Sequence, residues 1–421
     1  MRATLAAGEL QGRIRLTADR LLHGGPPAFT PEFTLADVTK GASRRVAEFS
    51  GDLSGRYLGA LALLPPEGLD LHPLVRDLLK QQREDGRFGD ASLRFTTAEV
   101  GPAHMALLWG NGRLLVGLLE YAEATGDGAA LAGGRRLGEF LAGVRAACAA
   151  PEVARRLASQ GAMGFICFTQ LAEGFALLSE ATGDRRYLEA ARGIGPLLGP
   201  RGRQHAHGYL TTLRGLVMTA GSTADASLLS DVEARYRDLV ASSDLSPYGG
   251  VLEFFGGGGD PAAARDEGCA VADFLRLSLQ LWRATGTLDY LERAERCLRN
   301  HFFFNQWDTG DFGHHVLFPQ GFRPTESAGR AWWCCTMHGY RAFRDVLDHV
   351  ARREKDTTFV DLIFDADVAF PGLSLSLRHS SEAPDQSTFR VEVLEASVLP
   401  QTISVRRPSW AASTLVRFGA T

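Results

Sequence analysis

Glu267-Gly268-Cys269 and the adjacent pair Cys334-Cys335 are the residues whose types and spacing best suit chemistry. Three thiols and a carboxylate make a plausible four-ligand set for zinc. Neighbouring cysteines are awkward partners for a disulfide and usable ones for a metal. Zinc explains a vicinal pair on a mostly helical background better than packing does. The competing explanation is a set of separate core cysteines, since free Cys is often buried. The spacing is not that of the common paired CxxC zinc motifs. Cys148, Cys167 and Cys297 look structural. Cys297 shares a helical face with Leu291, Ala294 and Leu298, which is a core pattern. Six cysteines in 421 residues do not make a disulfide framework.

A second feature is Leu252-Glu253-Phe254-Phe255, which follows Gly249-Gly250. A glutamate set between apolar residues could be a carboxyl with a raised pKa, suited to general acid work. The plainer alternative is a strand whose alternate residue faces water. His205-Ala206-His207 precedes a helix and lacks an obvious third metal ligand, so a substrate-binding or surface role fits better. His314, His315 and His338 lie near the cysteines in sequence, but zinc has four candidates without them. Trp332 and Trp333 beside the cysteine pair could be a sugar platform or core.

The elements that must position these residues are mostly helices. Between about residues 50 and 350 one unit recurs: a helix, a Thr-Gly turn, then another helix. It appears at Thr125-Gly126-Asp127, at Thr182-Gly183-Asp184 and at Thr285-Gly286, with a weaker copy around Gly221–Asp225. Gly ends one helix in a left-handed cap, and Asp or Thr opens the next. One helical hairpin cannot bury its own apolar faces, so several must pack side by side. A solenoid keeps its repeats nearly equal. Here the inserts are long and Gly-rich, as at Tyr248-Gly249-Gly250 and Gly256–Gly259. Long irregular connections at one end of a ring are a natural place for an active site. The expected fold is therefore mainly α: a closed (α/α)6 barrel followed by a β-sandwich.

The expected domains are an N-terminal segment over 1–45, a barrel over 46–355 and a sandwich over 356–421. Arg13-Ile14-Arg15-Leu16 could be a strand joining the sandwich. Strand patterns follow at Phe359–Phe364, Leu373–Leu377, Phe389–Val393 and Ile403–Arg406. About 65 residues is thin beside typical ~100-residue sandwiches, so a shortened sandwich is one expectation.

Composition narrows the function classes. The 45 basic and 49 acidic residues give a net charge of −4, so there is no electrostatic case for nucleic acid or an anionic membrane. Lysine supplies only three of the basic residues (Lys40, Lys80 and Lys355), and the arginines are scattered rather than clustered. No run reaches the ~18 apolar residues of a spanning helix, and the start has no apolar stretch of signal-peptide length. The expectation is a soluble, cytoplasmic protein.

Taken together, these residues resemble glycoside hydrolase family 127, the β-L-arabinofuranosidase family, over about residues 50–421. Asp266-Glu267-Gly268-Cys269-Ala270, continued by Leu279, Trp282, Thr285-Gly286, Tyr290 and Arg299-Asn300, is similar to its Glu-x-Cys segment. Trp333-Cys334-Cys335 is similar to its vicinal cysteine motif, and Ser409-Trp410-Ala411 to its sandwich strand motif. The resemblance implies an α/α barrel with β-sandwich domains. It implies zinc held by Glu267, Cys269, Cys334 and Cys335, with Cys334 as nucleophile and Glu253 as acid/base. It also implies His205 as a sugar contact; Trp333 is a candidate sugar contact from its place beside the cysteine pair. The implied reaction is retaining hydrolysis of a furanoside such as a β-L-arabinofuranoside, on a plant-type or bacterial glycan fragment.

Two stretches depart from the family. Thr336-Met337-His338 replaces its usual Pro-Pro-Asn, and Leu108-Trp109-Gly110-Asn111-Gly112 stands where many members carry His-Glu. Two alternatives stand beside the hydrolase. One is a zinc-containing, non-hydrolytic carbohydrate-binding relative. The other is a metal-free α/α-barrel sugar lyase or epimerase.

Overall fold

The computed structural model describes residues 2–5, 8–39, 48–158, 160–256, 265–318, 321–324, 333–383, 386–397 and 402–419. Gly257–Gly259 of the glycine-rich insert and Trp332 lie outside the described residues.

The Thr-Gly turns end helices as their chemistry requires. Thr125, Thr182 and Thr285 donate hydroxyl bonds to the carbonyls of Tyr121, Leu178 and Leu281, one turn back. Gly126, Gly183 and Gly286 follow in the left-handed region, at φ 74°, 71° and 69°. Asp127 and Asp225 accept backbone N–H bonds from the first turns of the next helices. In the weaker copy Ala224 takes the left-handed position at φ 52°, which is why the glycine signal fades there.

The principal helices are α1 (Glu9–His23), α2 (Asp52–Leu63), α3 (Pro102–Thr125), α4 (Gly128–Gly143) and α5 (Leu171–Thr182). They continue as α6 (Arg186–Arg192), α7 (Ala206–Thr223), α8 (Ala226–Val240), α9 (Gly268–Thr285), α10 (Leu288–Cys297) and α11 (Trp333–Asp348). Two kinds alternate. Helices α2, α3, α7 and α9 are buried around nearly their whole circumference, whereas α8 buries only Val232, Tyr236 and Leu239. All-round burial marks inner helices, and a single apolar stripe marks outer ones. Helix α2 packs on α3, α3 on α5, α5 on α7, α7 on α9, α9 on α11, and α11 on α2. Outside them, α4 lies on α3, α6 on α5, α8 on α7, α10 on α9 and α1 on α11.

A small β-sheet region follows the helices. Strands β1 (Arg2–Leu5), β2 (His315–Phe318) and β3 (Gly321–Pro324) precede α11 or its approach. After α11 come β4 (Ala351–Glu354), β5 (Thr357–Val360), β6 (Ala366–Phe370), β7 (Leu373–Ala383), β8 (Gln386–Ala396) and β9 (Thr402–Val405). One sheet has the order β1-β6-β7-β8, a second β4-β5-β9, and β2-β3 is a hairpin. The N-terminus does join the C-terminal strands, but through Arg2–Leu5, antiparallel to β6. Arg13–Leu16, read as a strand from alternation, lies inside α1. Alternation over four residues is too short to separate the two periods. Ser409-Trp410-Ala411 is not a strand either. Ser409 bonds Glu292 of α10 through its N–H and its hydroxyl, at 2.7 and 2.6 Å, and Trp410 is exposed.

Candidate metal centre

Two inner helices bring the cysteines together. Glu267 is the residue before α9 and Cys269 lies in its first turn, while Cys334 and Cys335 lie in the first turn of the adjacent α11. Helix N-termini favour negative charge, so both ends suit thiolates. The helices meet closely because residue 268 is glycine. A Cβ there would stand 3.0 Å from Cys335 Cβ, 2.9 Å from Asn305 Oδ1 and 3.1 Å from Phe312 Cβ. The start of α11 is pinned from the other side. Arg20 of α1 holds Asp311 at 2.8 Å, and Asp311 accepts the Thr336 hydroxyl at 3.2 Å.

One ligand atom each from Glu267, Cys269, Cys334 and Cys335 falls within 4.8 Å of all the others. Cys269 Sγ is 3.6 Å from Cys335 Sγ, and Cys335 Sγ is 3.9 Å from Cys334 Sγ. A tetrahedron with ~2.3 Å metal–sulfur bonds has edges of about 3.8 Å. A disulfide would put the sulfurs ~2.05 Å apart, and all six cysteines are free thiols. The donor set and its spacing therefore fit a tetrahedral metal ion. Cys269 and Cys335 are fully buried, and Cys334 is partly exposed. Burial pushes the Cys269 and Cys335 thiols up, whereas hydrogen bonds from those two thiols hold Cys334 well below its usual range. Burial opposes the charge on Glu267, but His205, then His207 and His314, outweigh it and hold the carboxyl well below the usual range.

Glu253 is positioned by backbone bonds on both sides. Its N–H donates to Arg265 O at 2.9 Å, and its carbonyl accepts from Ala206 N at 2.9 Å. The preceding Gly249-Gly250 has a steric cause. Gly249 sits at φ 92° against the Cys297 backbone, and a Cβ on Gly250 would collide with the His301 ring. The segment thus places the half-buried Glu253 carboxylate within 4.8 Å of ligand atoms of both His205 and Glu267. Arg265 pairs with that carboxylate.

His205 and His207 are buried, which corrects the surface alternative. His205 Nε2 lies 3.1 Å from Glu267 Oε2. His207 Nδ1 lies 2.5 Å from Asp273, and His338 Nε2 lies 2.8 Å from the same carboxylate. These three side chains have metal-like spacing, but Arg56 reaches His207 Nε2 at 2.9 Å and Arg214 lies 3.2 Å from Asp273. Guanidiniums on the ligand atoms leave a hydrogen-bond chain rather than a cation site. His314 and His315 serve Asp266 instead, at its carbonyl (2.6 Å) and its carboxylate. Trp333 packs edge-on against Phe33, 5.5 Å between centroids. The departures named above are internally satisfied: Trp109 packs against the His205 and His207 rings and donates to Asp52 at 3.0 Å, and Asn111 bonds Phe88 and Ser50.

A buried charge network lies behind the cluster, and sequence reasoning missed it. Asp52 and Arg56 (α2), Arg113 and Glu120 (α3), Glu173 (α5), Arg214 (α7), Asp273 and Arg276 (α9), and Arg341 and Asp345 (α11) supply it from six helices among the described residues. Glu173 alone takes Arg113 at 2.8 Å, Arg214 at 2.9 Å and Arg341 at 3.3 Å. The only trace in sequence is an acidic or basic residue inside an otherwise apolar helix.

No protein-family model matches the sequence, and no curated protein matches it. Solved structures do. A GH127 β-L-arabinofuranosidase from Geobacillus stearothermophilus T6 is 16% identical, with a TM-score of 0.70 over 97% of this chain and 75% of that one. A second GH127 β-arabinofuranosidase gives 0.71 at 16% identity, over 97% of this chain and 70% of that one. The chain has the GH127 fold. A sugar epimerase from a ruminal bacterium matches less well, with a TM-score of 0.51 at 10% identity over 80% of this chain. The GH127 likeness extends across helices and strands alike. Among the described residues no helix is long and apolar enough to cross a membrane.

Proposed function

We propose that the chain is a zinc-dependent retaining glycoside hydrolase acting on a furanoside such as a β-L-arabinofuranoside. The six inner helices are then an (α/α)6 barrel over residues 46–355, and the strands that follow are a β-sandwich. The observation that carries the proposal is the convergence of Glu267, Cys269, Cys334 and Cys335 at tetrahedral spacing, with the Glu253 carboxylate within 4.8 Å of Glu267. Zinc held by those four residues would keep thiolates deprotonated at neutral pH.

Cys334 is the nucleophile, since it is the partly exposed sulfur of the three. Its Sγ bonds to the anomeric carbon as the glycosidic C–O bond breaks, and Glu253 gives its proton to the leaving oxygen. Glu253 then takes a proton from water, whose oxygen displaces the sulfur from carbon. Two inversions leave the configuration retained. Arg265 orients the Glu253 carboxylate through their ion pair. His205 is a sugar contact: its buried Nδ1 has no hydrogen-bond partner among the described residues, so it can meet a hydroxyl. Trp333, one residue before the nucleophile, is the second sugar contact in this reading, with its ring packed edge-on against Phe33.

A panel of furanosides, with NMR observation of the first-formed product, tests the proposal. Turnover with retained anomeric configuration is expected. Inverted product would remove Cys334 as nucleophile, and binding without turnover would favour a non-hydrolytic carbohydrate-binding protein.

A further inference from the structure

Among the described residues, the cation that reaches the sulfur cluster is Arg56. It is 7% exposed, and all three of its guanidinium nitrogens are committed. Nε donates to Asp52 Oδ1 at 2.7 Å, Nη1 to Cys269 Sγ at 3.8 Å and Nη2 to His207 Nε2 at 2.9 Å. Asp52 is fixed in turn by Trp109 Nε1 at 3.0 Å. His207 is fixed by Asp273, so its Nδ1 carries the proton and its Nε2 accepts.

Only one of these three contacts is a carboxylate. A buried guanidinium that ends on a neutral imidazole and a thiol is poorly compensated, whereas one that ends on a thiolate is well placed. Four anionic ligands around a doubly charged ion leave the centre with excess negative charge. The fork of Arg56 sits where that excess is greatest, beside a sulfur with no access to water.

We infer that Arg56 is a positioning residue for the metal centre: its Nη1–H donates to the Cys269 sulfur, draws charge from it and stabilises the loaded four-ligand set, leaving the partly exposed Cys334 as the reactive sulfur. The inference rests on the zinc reading proposed above. If Arg56 were only a packing partner of Asp52, its removal would lower stability without touching the sulfurs.

The test uses Arg56→Met and Arg56→Lys in the full chain, loaded with zinc or with Co(II). Two properties are read: the rate of zinc transfer to a chromophoric chelator at neutral pH, and the sulfur-to-Co(II) charge-transfer absorption. Residues that support metal ligands typically contribute 10–100-fold to metal affinity, so Arg56→Met should release zinc about 10–100-fold faster. Its charge-transfer band should move to longer wavelength as the sulfur loses its hydrogen bond. Lysine keeps the charge but cannot fork to three partners, so its release rate should fall between. Release rates and bands equal to the parent's in folded variants would overturn the inference while leaving the zinc reading intact. Should the Met variant not fold, an unshifted band in Arg56→Lys overturns it. A parent chain that holds no zinc overturns both together.

Discussion

Gly268→Ala tests whether close approach of α9 and α11 builds the metal centre. The new Cβ would stand 2.9–3.1 Å from Asn305 Oδ1, Cys335 Cβ and Phe312 Cβ, where carbon contacts normally sit at ~3.5–4.0 Å. None of these neighbours yields easily. Asn305 holds Asp266 and both backbone polar groups of Gly313, the Phe312 N–H is bonded to Thr336, and Cys335 is fixed to α11. Overpacking of this kind costs about 1–3 kcal/mol, offset by a helix-propensity gain of at most ~1 kcal/mol. With the full propensity gain, the net expectation is a loss of about 0–2 kcal/mol. The added methyl also pushes the Cys335 sulfur off its tetrahedral position, so zinc affinity should fall at least ~10-fold, as it does when ligand support is disturbed. Gly12→Ala is the control. Its Cβ meets nothing within 4 Å on an exposed face of α1, and it should stabilise by about 0.5–1 kcal/mol. Urea unfolding and a competitive zinc titration read both variants. A Gly268→Ala chain that unfolds and binds zinc as the parent does would falsify the close-approach argument.

Glu253→Gln should slow cleavage of an alkyl furanoside about 10²–10⁴-fold and of a nitrophenyl furanoside far less, because nitrophenolate leaves without a proton. The nitrophenyl substrate should show a burst and then slow turnover that azide accelerates; equal behaviour of both substrates removes Glu253 from the mechanism. Glu173→Gln strips one anion from the buried network and should cost about 3–5 kcal/mol in urea unfolding, and a loss comparable to that of an exposed pair such as Arg186–Glu139 would contradict the burial. Despite burial, Asp266 is held below its usual range by His301 and His315, Asp273 by His338 and His207, and Glu173 by Arg214, Arg341 and Arg113. Their folded pKa values lie below the unfolded ones, so this stabilisation is complete above about pH 5 and fades as pH falls through ~4 and lower; unfolding midpoints measured from pH 7 to 2 that stay flat would refute it. Burial pushes the Cys148 thiol up to about 12 and raises those of Cys167 and Cys297, so a thiol reagent on the metal-free native chain should label Cys334 first and those three only on unfolding.

The parts legible in sequence were the locally coded ones. Thr-Gly turns fix helix ends through bonds one turn long, so three copies could be read directly and the fourth, capped by Ala224, only weakly. Glu267 and Cys269 are close in sequence and Cys334 adjoins Cys335, so residue type alone suggested their pairing. Arg56 was invisible because its contact with Cys269 spans 213 positions and is made by two helices whose separation no local pattern encodes. Arg265 was missed because its pairing with Glu253 depends on a backbone bridge between Leu252 and Asp266. Arg13–Leu16 misled because four alternating residues satisfy both periods, and the apolar positions Leu10, Ile14, Ala18 and Leu21 of α1 decide the matter only over the longer span.

The most direct test of the central claim is elemental analysis of the purified chain after exhaustive dialysis, run beside Cys269→Ala. Four convergent ligands form a closed site, so the parent should retain about one zinc per chain, and the variant should retain far less. A parent without bound metal, or a variant with full occupancy, would contradict the assignment of Glu267, Cys269, Cys334 and Cys335 as a zinc site.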